Sequence, residues 1–542
     1  MEYALSVPEV LDHIFRLAVP SAQVAAAQVC QQWSEHSLRL IWRSLPSIYP
    51  PLRLLAPLIR RHNEWRFETD LFDADWKRFN RHTAYTRSIC YDDRDSFLGH
   101  AGLPAWQVFA EVCLHRPPSD GLIWPNLDHL RWTSHETASL IHAVSFLTPS
   151  ITSLQISCAG PRMADACAKL LRTLEPRQVF LSHLDLALPQ YDQTLLISLP
   201  LTLSHQTQLV TVTLPSYSAT RDVVAALGRL PHLKEYAIWD FLAYQMPLEA
   251  GATFEWPLGS FVSLEKLSFI APLTDASEIM GKEHQSRLRS LEIACRTPAQ
   301  HHQLQSLSTK LSASLPHLTS LSLFLYSETF VPNTPEGLRF HSLHPLLQCR
   351  ALSILVVGHN IPLAYTQNDI RTMAEAWPAM KFLRLCADPV DTVRYSSGQP
   401  LGSVGVFARY FPHLLLLGIY INTFEIPLKS QKSTGFRALG VLDVGTSPDA
   451  GPTMHLSVSP YLEGILKPTT ILKSDKTPAH ISALRQSLMT TREYARRAAS
   501  WASVASGIDL IRLCTMNLAT ETQPLTTQND ALSNEVERLK IA

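Results

Sequence analysis

Pro316-His317-Leu318-Thr319-Ser320-Leu321-Ser322-Leu323 sets apolar residues at the first, fourth and sixth positions of a short unit, Leu318-x-x-Leu321-x-Leu323. The last two lie two residues apart, as side chains on one face of a half-buried strand must. The lead-in returns at Pro231-His232-Leu233 and Pro412-His413-Leu414, each opening the same unit. Outward from it, twelve units begin at Leu127, Ile151, Leu181, Leu209, Leu233, Leu264, Leu288, Leu318, Leu352, Met380, Leu414 and Leu439, 24 to 34 residues apart. Between them lie helical stretches, among them 221–230, 303–314 and 369–377. One strand and one helix per repeat implies an α/β solenoid with a parallel sheet on the concave side and helices outside. Leu130, Leu154, Leu184, Leu267, Leu291, Leu321, Leu355, Leu383 and Leu417 are then the stacked core.

The pattern resembles leucine-rich repeats of an irregular kind. The asparagine that the family places three residues after the third apolar position stands at Asn360 and Asn422 and almost nowhere else. Cys158 and Cys295 fall one residue short of that slot. The resemblance implies looser, variable turns, with an ordinary α/β domain of leucine-rich strands as the alternative.

Residues between the apolar positions face the open side of such a sheet. Early repeats place His129, Arg131, Ser153, Gln155, Thr211 and Thr213 there, and later ones Phe324, Ile354, Val356, Phe382, Leu416 and Tyr420. An exposed apolar row on neighbouring strands calls for a cover. A protein substrate is the favoured cover. The alternatives are the chain's own segment after Pro460, or side chains tilted into the core.

At the other end, Ser6-Val7-Pro8-Glu9 reads as a capping box. Val10, Leu11, Ile14 and Phe15 follow at helical spacing. Pro20 is expected to end that helix, with Ser21 capping a second and Cys30-Gln31-Gln32-Trp33 leading to a third with Leu38, Ile41 and Trp42. Such a three-helix unit has little core of its own and is better off against a partner. Val7-Pro8-Glu9-Val10-Leu11-x-x-Ile14-Phe15, then Val29-Cys30-x-x-Trp33, then Leu40-Ile41-Trp42, resembles an F-box over residues 5 to 46. It departs from the common form in the adjacency of Pro8 and Glu9 and in Gln31 where a basic residue is usual. The resemblance implies a Skp-family adaptor and, through it, a cullin. Pro8, Leu11, Ile14 and Phe15 would meet the adaptor from the first helix, and Val29, Cys30 and Trp33 would form or support a second contact.

Composition narrows the rest. The chain has 542 residues, 46% hydrophobic and 17% charged, with 47 Lys plus Arg against 47 Asp plus Glu. Balanced charge exerts no global pull on nucleic acid or anionic membrane. No run nears the roughly 18 apolar residues of a membrane span. The nine cysteines are odd in number and scattered, Asn-x-Ser/Thr is absent, and no secretory leader opens the chain, so cytoplasm or nucleus is expected. No phosphate loop, Gly-x-Ser-x-Gly elbow or Cys-x-x-Cys pair is found. Cys113-x-His115, His301-His302 and His341-x-x-His344 lack a second pair at zinc spacing. With the F-box and repeat resemblances, the expectation is a non-enzymatic substrate-recognition subunit of a Skp-cullin-F-box ubiquitin ligase, without cofactor or metal, organised as an F-box (1–50), a connecting cap (51–124), the repeats (125–459) and a C-terminal helical cap and tail (460–542). An F-box scaffold outside a ligase, or an enzyme with its site in the irregular loops, are the alternatives.

Overall fold

A computed structural model describes residues 7–61, 64–71, 76–93, 106–117, 122–160, 162–188, 191–239, 260–280, 287–327, 338–389, 398–423, 435–448, 454–474 and 497–512. The chain forms two compact units, residues 1–267 and 268–542.

The first unit opens with three short helices, α1 (Pro8–Leu17), α2 (Pro20–Ala26) and α3 (Gln31–Ile41). Ser6 lies outside the described residues, and α1 starts after Val7, which makes no side-chain cap. Pro20 opens α2 rather than closing α1: at the first helical position its missing N–H costs nothing, and Ser21 sits inside the helix, not at its cap. Directly after α3, Ser44–Leu45 pairs in parallel with Ser88–Asp92 and so heads the sheet. A small antiparallel pair, Leu58–Arg61 with Glu64–Phe67, stands apart from that sheet.

All twelve apolar units are strands. In the first unit, Ser88–Asp92, His129–Ser134, Ser153–Cys158, His183–Ala187, Thr211–Pro215 and Glu235–Trp239 each pair in parallel with the next, the last with Lys266 and Leu267. In the second, Ser290–Cys295, Ser320–Leu325, Ile354–His359, Phe382–Leu385, Leu416–Ile419 and Val441–Gly445 do the same. The pairing continues past residue 460, through Ile471–Ser474. Helices follow most strands, for example Met163–Arg172, Arg221–Gly228, His301–Ser314 and Gln367–Ala376. This is mixed α/β architecture built on parallel sheet, with neighbours in sequence also neighbours in space.

Register explains the core. Ile89, Leu130, Leu154, Leu184, Val212 and Tyr236 lie side by side across the first unit, and Leu291, Leu321, Leu355, Leu383, Leu417 and Leu442 across the second. Every one is essentially inaccessible. Equal side chains on adjacent strands meet at one depth and leave no void, which is how a run of leucines fixes the repeat.

Turns after the strands use several devices. Asn360 acts as the repeat pattern implies: its Oδ1 accepts the Ser327 N–H at 2.7 Å and its Nδ2 donates to the Ser327 carbonyl at 3.1 Å. Elsewhere other side chains serve. Asp93 accepts the backbone N–H of His135 at 2.7 Å and of Glu136 at 3.3 Å, and the Ser447 hydroxyl accepts that of Ile421 at 2.8 Å.

Residues 497–512 are helical and cap the last repeats. Trp501 donates its indole N–H to Ser447 O at 3.1 Å, Arg497 donates to Thr446 O at 3.1 Å, and the Ser459 hydroxyl donates to Val504 O at 3.0 Å. Trp501 is buried. The stack thereby ends against a helix instead of an open apolar layer. Of the segment after Pro460 considered as a cover for the open face, 461–474 extends the sheet and 497–512 forms this cap; its other residues lie outside the described residues.

Candidate functional site

Two surfaces carry apolar side chains in excess of what packing uses. The first is on the three-helix unit. Leu11, Phe15 and Ala26 form its core, with Trp33 and Leu40 packed against it. Phe15 meets Trp33 edge-on at 5.5 Å, and the Gln23 side-chain amide donates to Phe15 O at 2.7 Å across the α1–α2 corner. Leu11 was expected as an exposed anchor; it is fully buried, and Phe15 nearly so. The reason is that α1 has two apolar stripes one residue apart. Leu11 and Phe15 turn inward, while Val10, Ile14 and Leu17, at i, i+4 and i+7, turn out.

The following elements also expose apolar side chains. Leu17 and Val29 are 76% and 62% exposed, and Val19 and Val24 are open as well. Pro8 and Cys30 are exposed, and Trp33 is partly buried. Six of the exposed large hydrophobic residues thus fall between residues 10 and 29 of a unit with a very small core of its own.

The second surface is the open face of the sheet in the second unit. Ile354, Phe382, Leu416, Val441 and Ile471 occupy one register row on five successive strands. Phe382 and Ile471 are exposed, the other three partly buried. Val356 belongs to the next row, beside Ser322 and Arg384, and Phe324 to a third, opposite Gly358. Both are partly buried. Tyr420 is not on this face. The strand ends at Ile419, the alternation ends with it, and Tyr420 is buried beside Gly398, whose Cβ, if it had one, would meet the Tyr420 ring at 2.9 Å.

The second row holds a charge cluster. Arg384 Nε donates to Asp443 Oδ2 at 3.1 Å, and the same guanidinium pairs with Asp388. Lys473 Nζ lies 4.0 Å from Asp443. To reach Asp443, two strands away, the Arg384 stem crosses Gly418; a Cβ there would sit 2.5 Å from Arg384 Cγ. Both carboxylates are buried. The charges satisfy one another, so the row beside the apolar one presents little free charge.

The first unit's open face is polar, as its sequence implies. Arg131 Nε donates to Gln155 Oε1 at 2.6 Å, and Asp185 follows on the next strand. Burial raises the Asp185 carboxyl above the usual range, and nearby Arg131 counteracts it.

The histidines and the cysteine of the short His and Cys pairs have the following surroundings. His301 Nδ1 lies 3.0 Å from the Ser342 hydroxyl, His341 and His344 meet ring to ring at 5.3 Å, and Cys113 is exposed. Among the described residues, Asp92, Asp93 and His135 come together with metal-capable atoms, but both Asp93 oxygens are engaged: Oδ1 with His135 Nδ1 at 2.6 Å and Oδ2 with the turn N–H groups. No sequence spacing links 93 to 135; only strand pairing does.

No family model and no curated protein matches the chain. Among solved structures, it is similar to a protein from Bacteroides fragilis at 14% identity, over 58% of this chain and 76% of that one, with a TM-score of 0.23. It is also similar to TLR13, solved in complex with ssRNA13, at 12% identity, over 75% of this chain and 57% of that one, with a TM-score of 0.28.

Proposed function

We propose that this chain is the substrate-recognition subunit of a Skp-cullin-F-box ubiquitin ligase: the three-helix unit docks on the adaptor, and the leucine-rich repeats hold a protein substrate on the open face of the second unit. The observation that carries the reading is the outward stripe of Val10, Ile14 and Leu17, with Val19, Val24 and Val29 also exposed, on a small-cored three-helix unit whose sequence resembles an F-box. Apolar anchors of this kind suit a stable, mostly apolar interface. No chemistry is asked of the chain itself. A receptor accelerates ubiquitin transfer by raising the effective concentration of a substrate lysine near the loaded carrier.

The test uses residues that face outward. Ile14→Asp with Val29→Asp places charge in the interface while leaving Leu11, Phe15 and Trp33 to hold the helices. Adaptor and cullin should co-purify with the wild type and be lost from the double variant, with the thermal transition of the repeats unchanged. Retention of the adaptor at wild-type yield sinks the F-box reading; capture of adaptor without cullin places the protein outside a ligase.

A further inference from the structure

Each strand of the second unit is entered through a short connection, and these connections have a common chemistry. Ahead of Ser290–Cys295 stand Arg287 and Arg289; ahead of Ser320–Leu325, His317; ahead of Ile354–His359, Arg350; ahead of Phe382–Leu385, Lys381. The next three connections carry His413, Arg437 and Lys467. All eight side chains are exposed, and the described residues of these seven connections include no Asp or Glu. None of the six Arg and Lys side chains has a hydrogen-bond or ion-pair partner among the described residues. In the first unit the corresponding segments are mixed in sign, and most of their cations are engaged: Lys234 lies 3.8 Å from Glu265, Arg177 donates to Leu147 O at 3.2 Å and Arg87 to Asn126 O at 3.2 Å, leaving Arg229 exposed. Among the described residues, the second unit therefore has a cationic edge without compensating carboxylates running along the strand entries, and the first register row inside that edge is the apolar one.

We propose that the open face of the second unit receives an acidic amphipathic helix of the partner protein, its apolar stripe laid across the strands on Ile354, Phe382, Leu416, Val441 and Ile471 and its carboxylates turned toward the cationic edge. This rests on the reading of that face as the substrate-binding surface and specifies what it binds. The spacing suits a helix. Adjacent strands lie about 4.8 Å apart, so five span about 19 Å. One helical turn rises about 5.4 Å, so one apolar side chain per turn meets about one strand each. Charge complementarity fixes the sign and which flank of the helix is acidic. A single-stranded nucleic acid fits less well, because the row offers four aliphatic side chains and a single aromatic one to stack on. A bilayer fits less well too, since Ile354, Leu416 and Val441 are recessed in the sheet surface.

The test uses the full chain and fluorescence anisotropy with an about 18-residue peptide carrying Leu at every third or fourth position and Glu elsewhere. Controls are the same peptide with Lys for Glu, a permuted one with no stripe, an oligo-dT strand and phosphatidylserine vesicles. The acidic amphipathic peptide should bind and weaken as salt rises. The Lys version and the permuted version should bind at least tenfold more weakly. Arg350→Glu with Lys381→Glu should weaken binding roughly tenfold; Arg350→Gln should do so by less, and Phe382→Asp should abolish it. Equal binding of the Lys version, or edge-dependent binding of the oligonucleotide or the vesicles in place of the acidic peptide, overturns the proposal. Ile14→Asp with Val29→Asp must leave peptide binding intact, so failure of the adaptor reading and failure of this one are read separately. If Phe382→Asp abolishes capture of a cellular partner but the acidic peptide does not bind, the face stands and the helix is wrong.

Discussion

The two units share one backbone plan and differ in what they place on its open face. In the first, one register row reads Ser88, His129, Ser153, His183, Thr211, Glu235, and the next Cys90, Arg131, Gln155, Asp185, Thr213. In the second, the equivalent rows read Ser290, Ser320, Ile354, Phe382, Leu416, Val441, and Glu292, Ser322, Val356, Arg384, Gly418, Asp443. Behind both faces runs the same ladder of buried leucines and their equivalents. The ladder makes the fold, and the positions between its rungs are left to vary. A polar row hydrated by water needs no partner, whereas an apolar row beside cations unpaired among the described residues is the kind of surface a partner can cover.

If the ladder is common, its disruption must cost the same in either unit. Leu154→Ala and Leu355→Ala should each destabilise by about 2–5 kcal/mol, measured by denaturant unfolding. Both leucines are at most 1% exposed, and a neutral result at one of them would show that its unit is not held by the ladder.

The faces should separate at the charges. Asp443→Asn leaves the largely enclosed Arg384 with only Asp388, and breaking a buried pair costs about 3 kcal/mol. Arg131→Ala removes an exposed bond to Gln155 and should cost less than about 1 kcal/mol. Gly418→Ala pushes the Arg384 stem aside and should reproduce part of the Asp443→Asn loss. A harmless Asp443→Asn means the cluster is wetter than its burial implies.

The second unit should also carry an acid sensitivity. His359 is buried, burial lowers its pKa to about 4, and its Nδ1 accepts the Ile361 N–H at 3.0 Å. The Ile361 carbonyl, 3.3 Å from the same nitrogen, would favour a protonated ring and opposes that shift, and His301 adds to it. The unfolded chain takes up this proton near pH 6.5 and the folded one only near pH 4, so the stability from the neutral ring is complete above about 6.5 and is lost as pH falls toward 4. The loss is at most about 3 kcal/mol. His359→Gln keeps an acceptor without the titration and should flatten the stability profile across that window; an unchanged profile assigns the acid sensitivity elsewhere.

Legibility in the sequence followed periodicity. Every strand with Leu-x-x-Leu-x-Leu spacing was readable because three apolar positions define both the strand and its inner face. Ser44–Leu45 and Ile471–Ser474 were not, since strands that short or that exposed carry no alternation. On α1 the heptad carries apolar residues on two adjacent stripes, so spacing alone leaves undecided whether Leu11 or Ile14 faces in; the Phe15–Trp33 contact decides it. Pro20 reads equally as an end or a beginning. Tyr420 was misplaced because alternation was extended one residue beyond the strand. The Arg384–Asp443 pair and the Asp93–His135 clip join residues on different strands, and only register brings them together. The cationic edge is present in the sequence but invisible as a charge run, because its members lie a full repeat apart.

A modest stability effect belongs to the residue on which most of the binding argument rests. Phe382 is 36% exposed and flanked in its row by Ile354 and Leu416. Phe382→Ser removes an apolar surface that the folded chain buries only in part, so the unfolding free energy should fall by about 1 kcal/mol, well short of the loss at the fully buried ladder. Its effect on the surface should be larger: the exposed row is broken at its centre, and binding of an apolar dye and concentration-dependent self-association should both fall. His183→Ser, on the polar face of the first unit, should alter neither. If Phe382→Ser instead destabilises by 2 kcal/mol or more, Phe382 is a core residue, and the difference between the two faces is one of packing rather than of what they bind.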